Sequence, residues 1–319
     1  MLKILLVVLL GGISVFAQSG ALLNRDPKTV KFVTSDVDNF WAAYDIAAKE
    51  TDRSKRVAIF QSQYLDRGSA GLKDFIRLRI KSADALVTSI DGLPKYYASI
   101  RPSTLELKRM EKRMRKSFAK FKSIYPDAVF PDVYFLVGIA NTGGTTGPSG
   151  LLIGAEMYGK TKHTPTEELP DWLRFVLAGV EQVPGIVAHE SCHYNQNLPR
   201  QTTLLAKALQ EGGCDFIGEL ISGQNINDKL KIYGGLHAAE LRRDFTDAMD
   251  KPDISNWFYN AATASKDRPA DLGYHVGYMI ALNYYHRAKD KRQAVRDILN
   301  ISDFRKFYAD SGYNTFEKS

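Results

Sequence analysis

With 319 residues, 44% of them hydrophobic and 25% charged, the chain can build one large domain or two modest ones. That composition excludes collagen, coiled coil and wholesale disorder. The formal charge of +7 comes from a single segment, since nine basic and two acidic residues lie between Arg101 and Lys122 and the remainder is balanced.

Met1-Leu2-Lys3 is a short positive start, and residues 4–10 form an unbroken apolar run. Small and apolar residues follow to Val15-Phe16-Ala17, the pattern of a signal peptide cut after Ala17. The run is shorter than the roughly 20 residues a membrane anchor needs. The cysteine nearest the cut is Cys192, which disfavours a lipid-anchored lipoprotein. The mature chain is expected to be secreted or periplasmic, without a membrane span and without nucleic acid as a partner.

Residues 27–125 read as helical. Ser35 or Thr34 can cap a helix through Phe40, Trp41, Tyr44 and Ala47. A second helical pattern covers 72–90. In the basic segment Leu105, Met110, Met114, Phe118 and Phe121 recur at helical spacing, so its cations coat the wet face of an amphipathic helix, the other reading being a patch for an acidic partner. Residues 133–137 are β-branched and aromatic and predict a strand, residues 143–148 a turn or loop, and residues 151–158 another strand. After Pro170 the chain returns to helices, at least four of them. Helices, a few strands, then helices predicts an α+β fold. The domains expected are a signal peptide at 1–17, a helical region at 18–125 and a third region at 126–319.

Within the third region stands His189-Glu190-Ser191-Cys192-His193. On a helix, positions four apart share a face, so both imidazoles converge on one point and supply half of a tetrahedral zinc site. Glu190 lies about 100° round the helix, placed to act as a base on metal-bound water rather than as a ligand. Pro184 suits the first turn of that helix. Downstream, Thr202 or Thr203 can cap a helix that ends at Gly223 and carries Glu211 and Asp215, again four apart. Glu211 would be the third ligand to one Zn2+ per chain. Asp215 would fix the tautomer of a ligand histidine, His189 first. His163, His237 and His286 have no partner spacing and read as surface or core residues.

The motif pair HESCH and EGGCD resembles the gluzincin metallopeptidases, and more specifically the DUF2268 family of predicted zinc-dependent proteases. The shared stretches are the Gly-Gly-Thr loop with Leu151-Leu152-Ile153-Gly154-Ala155-Glu156, then HExxH with Asn195-Gln196, residues 211–223, and Leu272-Gly273-Tyr274-His275-Val276-Gly277-Tyr278. The likeness covers roughly residues 130–319. It implies a zincin-like domain with a small sheet beside the HExxH helix, whose strand at 151–158 walls a cleft. It also implies hydrolysis of a peptide or protein substrate, with Glu190 as the base. Gluzincins often supply an oxyanion donor from a later helix, a role that would fall to Tyr274 or to His275; the alternative for Tyr274 is an aromatic that packs helices.

Cys192 and Cys214 each lie three residues after a proposed ligand. Export permits a disulfide stapling the two helices, and the other possibility is two small buried thiols. Beside the metallopeptidase stands a second function from the same ligands: a secreted binding or structural protein that keeps zinc as a staple without turnover.

Overall fold

A computed structural model describes residues 23–261, 264, 265 and 267–315, so the signal peptide expected at 1–17 lies outside the described residues. The fold is α+β, mostly helical with one small mixed sheet. Its residues sort into two compact units, one from the described residues up to Arg115 with Val129–Pro184, the other from Lys116–Ala128 with the described residues from Gly185 onward.

The first unit starts with a two-residue strand, β1 (Phe32–Val33), and α1 (Ser35–Ala47). Helices α2 (Arg53–Phe60) and α3 (Ala70–Phe75) each run on into a π-helical turn, Gln61–Leu65 and Ile76–Ile80. Next come α4 (Ala83–Gly92), α5 (Pro94–Ser99) and α6 (Arg101–Leu105). The single helix expected over 72–90 is therefore three segments. Lys81 at φ 73° breaks it, and Ser82 restarts it by accepting the Ala85 N–H. Helix α7 (Leu107–Ile124) is the basic amphipath, with Leu107, Met114, Phe118 and Phe121 buried; Leu105 ends the previous helix and is exposed.

Strands β2 (Val133–Leu136), β3 (Gly144–Gly147) and β4 (Gly150–Gly154) complete the sheet, in the order β1-β2-β4-β3. β1 and β4 run parallel to β2, and β3 pairs antiparallel with β4. Every residue of β2 and β4 is buried, which is why their sequences are unbroken apolar runs rather than alternating ones. The stretch expected as a loop at 143–148 contains β3 because Thr145 and Thr146 pair with Leu152 and Leu151, and pairing outweighs the poor strand propensity of glycine. Gly150, at φ 140°, closes the hairpin where a Cβ would strike the Asp132 backbone. The strand expected over 151–158 stops at Gly154 and becomes a 3-10 turn, Ala155–Tyr158. There the buried Glu156 carboxylate turns inward to accept the Ala140 N–H at 3.1 Å, and burial pushes its pKa up to about 7. Tyr64 locks the end of its π turn to the sheet by donating to the Val137 carbonyl at 2.8 Å and accepting its N–H at 3.0 Å. Helix α8 (Asp171–Val176) follows the sheet.

The second unit is helical. It takes α9 (Val183–His193) from residue 185, then α10 (Leu204–Ser222), α11 (Asp228–Leu236), α12 (Ala238–Ala248), α13 (Leu272–Arg287), α14 (Lys291–Leu299) and α15 (Phe304–Ser311). Thr203 caps α10 by accepting the Ala206 N–H, and Gly223 at φ 75° ends it. The axis of the unit is α10 against α13. Their backbones approach so closely at Gly212 and Gly277 that a Cβ on Gly277 would overlap the Ala208 carbonyl oxygen, and one on Gly212 the Tyr278 nitrogen. Gly277→Ala is therefore expected to cost about 1–3 kcal/mol by overpacking, whereas the exposed Gly235→Ala, in α11, should be neutral or better. Urea unfolding of the two variants checks this, and equal stabilities would contradict the helix contact.

Candidate metal centre

Both HExxH histidines lie on α9, and both proposed carboxylates lie on α10. The two helices come close because Gly218 offers no side chain; a Cβ there would sit 3.1 Å from the His189 nitrogen. His189, His193, Glu211 and Asp215 are all buried. A disulfide joins Cys192 to Cys214, with Cα atoms 5.3 Å apart. It crosses between the same two helices as the proposed ligands.

His189, His193 and Glu211 form the one group among the described residues able to hold a metal ion. Their donor atoms make a small triangle. The two Nε2 atoms are 3.1 Å apart, and Glu211 Oε2 lies 3.6 Å from His189 Nε2 and 3.4 Å from His193 Nε2. A tetrahedral zinc with bonds of about 2.1 Å needs ligand–ligand edges of about 3.4 Å, so these residues fit the ion.

The surroundings fix which ring nitrogens are available. Gln196 donates from Nε2 to the Gln210 carbonyl at 2.8 Å, so its Oε1, 2.9 Å from His193 Nδ1, is an acceptor. His193 must then carry its proton on Nδ1 and keep the Nε2 lone pair. His189 Nδ1 lies 2.7 Å from Asp215 Oδ1, a separation that needs a proton between them, and its Nε2 faces the triangle. Asp215 is held from behind by Asn227 Nδ2, donating to Oδ2 at 2.7 Å. Lys207 donates to Glu211 Oε1 at 2.8 Å, which leaves Oε2 for the centre. Burial would raise the Glu211 pKa, but His193 and Lys207 hold it well below the usual carboxylate range. Burial would lower that of His189, yet Asp215 and Glu211 push it up to about 10, so an ion entering the metal-free centre displaces a proton.

Glu190 is buried outside the donor triangle, and its charge is felt by His189 and by Tyr194. Tyr274 lies beside His189, with ring centroids 6.5 Å apart. It is hydrogen-bonded to Tyr259, which in turn bonds Lys207. His275 is not brought to the centre. One residue further round α13, its ring packs on the α11 backbone at Gly234, and burial with the Lys231 charge pushes its pKa down to about 4. The sequence assigned no role to Lys207, Gln196 or Asn227, although Gln196 stands in the stretch shared after HExxH. Lys207 and Gln196 left a signal in their spacing, four residues before Glu211 and three after His193.

The sequence matches the family described as gliding motility protein GldB over residues 26–233, more than half of the chain. This chain belongs to the GldB gliding motility family. No curated protein and no solved structure matches it. The matched stretch contains the whole donor triangle and ends inside α11, before Tyr274 and His275.

Membership of the GldB family corrects the likeness to gluzincins and to the DUF2268 family. GldB proteins are gliding motility lipoproteins, which points to a non-catalytic role; peptide hydrolysis, with Glu190 as its base, is withdrawn. The physical reason is that histidines four apart on one helix, with a carboxylate on the next, specify where donors point. They do not specify turnover. The family also implies an exported, envelope-associated protein, in keeping with the export expected from the sequence. Among the described residues no helix is long and apolar enough to cross a membrane.

Proposed function

We propose that this chain is a non-catalytic binding or structural component of a gliding apparatus, facing the outside of the cytosolic membrane, whose helical unit is stapled by one zinc ion. The observation that carries it is the pair of histidines held in the same tautomer, His193 by Gln196 and His189 by Asp215, with both Nε2 atoms turned to a single Glu211 oxygen. His189, His193 and Glu211 would hold the zinc. Two imidazoles and a carboxylate suit that ion, which has no redox chemistry and tolerates a buried site. Bound there, it supplies a cross-link between α9 and α10 beside the disulfide. The signal peptide at 1–17 would deliver the chain to the secreted or periplasmic side. Its partner would be another envelope protein or peptide, bound and left intact.

The test separates staple from catalyst. Glu190→Gln, in place of the native chain in the source cells, should keep one zinc per chain, the unfolding temperature and gliding, because Glu190 is outside the donor triangle. A folded, zinc-loaded Glu190→Gln protein that abolished gliding would overturn the non-catalytic reading.

A further inference from the structure

Helix α7 carries a charge pattern that neither the metal centre nor the core uses. At 100° per residue, Arg109, Lys112, Arg113, Lys116 and Lys120 fall within about 100° of arc, opposite the buried Leu107, Met114 and Phe118. All five are exposed, and they extend along roughly 17 Å of helix. Of the cations off this arc, Lys108 meets Asp38 at 2.7 Å, Arg115 meets Glu111 at 2.7 Å, and Lys122 donates to the Ala128 carbonyl at 3.0 Å. On the arc, Arg109 has only Glu106 at 3.6 Å, and no ion pair is formed by Lys112, Lys116 or Lys120 among the described residues. Much of the chain's excess positive charge is thus gathered on one stripe of α7.

We propose that this face of α7 is a docking surface for an anionic lipid bilayer, resting on phosphate headgroups without entering the acyl region. The stripe is complementary in charge to such a surface, and three lysines four residues apart put ammonium groups at even spacing along it. The residues between them on the arc offer no large apolar side chain to insert and no aromatic ring on which a nucleic-acid base could stack, which favours headgroups over a single-stranded polynucleotide. Membership of an envelope lipoprotein family places the chain beside a bilayer. The attraction is electrostatic and falls off within a Debye length, so added salt weakens it steeply. The inference is independent of the zinc staple.

The experiment is vesicle co-sedimentation of the full chain with phosphatidylglycerol–phosphatidylcholine vesicles, with neutral phosphatidylcholine vesicles and with a single-stranded oligonucleotide. Binding to the anionic vesicles alone, lost at high salt, is expected. The variant Lys112→Gln/Lys116→Gln/Lys120→Gln should bind on the order of 100-fold more weakly, at about 5-fold per lysine. The control Lys229→Gln/Lys251→Gln/Lys289→Gln removes the same charge from exposed positions elsewhere and should bind like the parent. Circular dichroism confirms that both variants fold. The proposal is overturned by no anionic-vesicle binding, by equal losses in the two variants, or by capture of the oligonucleotide in preference to vesicles.

Discussion

Glu211→Gln should abolish stoichiometric zinc and lower the unfolding temperature of the helical unit by about 10 °C. An ion present at 100–1,000 times its dissociation constant stabilises the folded state by about 3–4 kcal/mol, and a unit of this size shifts by roughly 2–4 °C per kcal/mol. Two costs combine in this variant. The ion loses its only oxygen donor, and Lys207, mostly buried and 2.8 Å from Glu211 Oε1, loses its counter-charge. Adding Lys207→Gln should recover the second cost and leave the first. A chelator separates them directly, by lowering the parent protein's transition while leaving that of Glu211→Gln unmoved. A chelator effect of equal size on both proteins would show that Glu211 is not a ligand.

Cys192→Ser/Cys214→Ser should destabilise the same unit by about 3 kcal/mol. The bond spans a sequence separation of 22 residues, for which the chain-entropy model gives about 3.4 kcal/mol. Because the disulfide and the proposed zinc ligands connect the same two helices, opening one link loosens the geometry the other requires. Zinc affinity should therefore fall about 10-fold in the double variant, the size of effect that lost outer support has at metal sites. Reductant should bring the parent to the level of the variant and leave the variant unchanged. Unchanged zinc affinity in the variant would mean that the two links act separately.

The metal group was legible because helical periodicity converts sequence spacing into direction. Positions 189 and 193, 211 and 215, and the two cysteines three residues past a proposed ligand all translate into faces of two helices, and the structure places those faces together. The groups that fix ring tautomers and divide the carboxylate were not legible in the same way. Gln196 follows His193 by three residues but lies beyond the end of α9, and Asn227 arrives by tertiary approach, so spacing alone assigns neither its role. His275 misled for a related reason: adjacency to Tyr274 in sequence becomes about 100° of rotation on α13, enough to send it to Gly234 instead. In the sheet, β2 and β4 announced themselves by apolar runs, whereas β3 depends on a partner strand to overcome its glycines. Donor geometry carries no information on turnover, and it is family membership that points away from hydrolysis.

The ammonium of Lys207 has one more effect. By occupying Glu211 Oε1 it turns a potentially two-toothed carboxylate into a single-oxygen donor, so the centre offers two nitrogens and one oxygen. Calcium seeks about 6–8 oxygens, and magnesium an octahedron of them at about 2.1 Å. The hard cations that abound outside the cytosol would thus be poorly served here, and Lys207, though not itself a donor, would add to the preference that two imidazoles have for zinc.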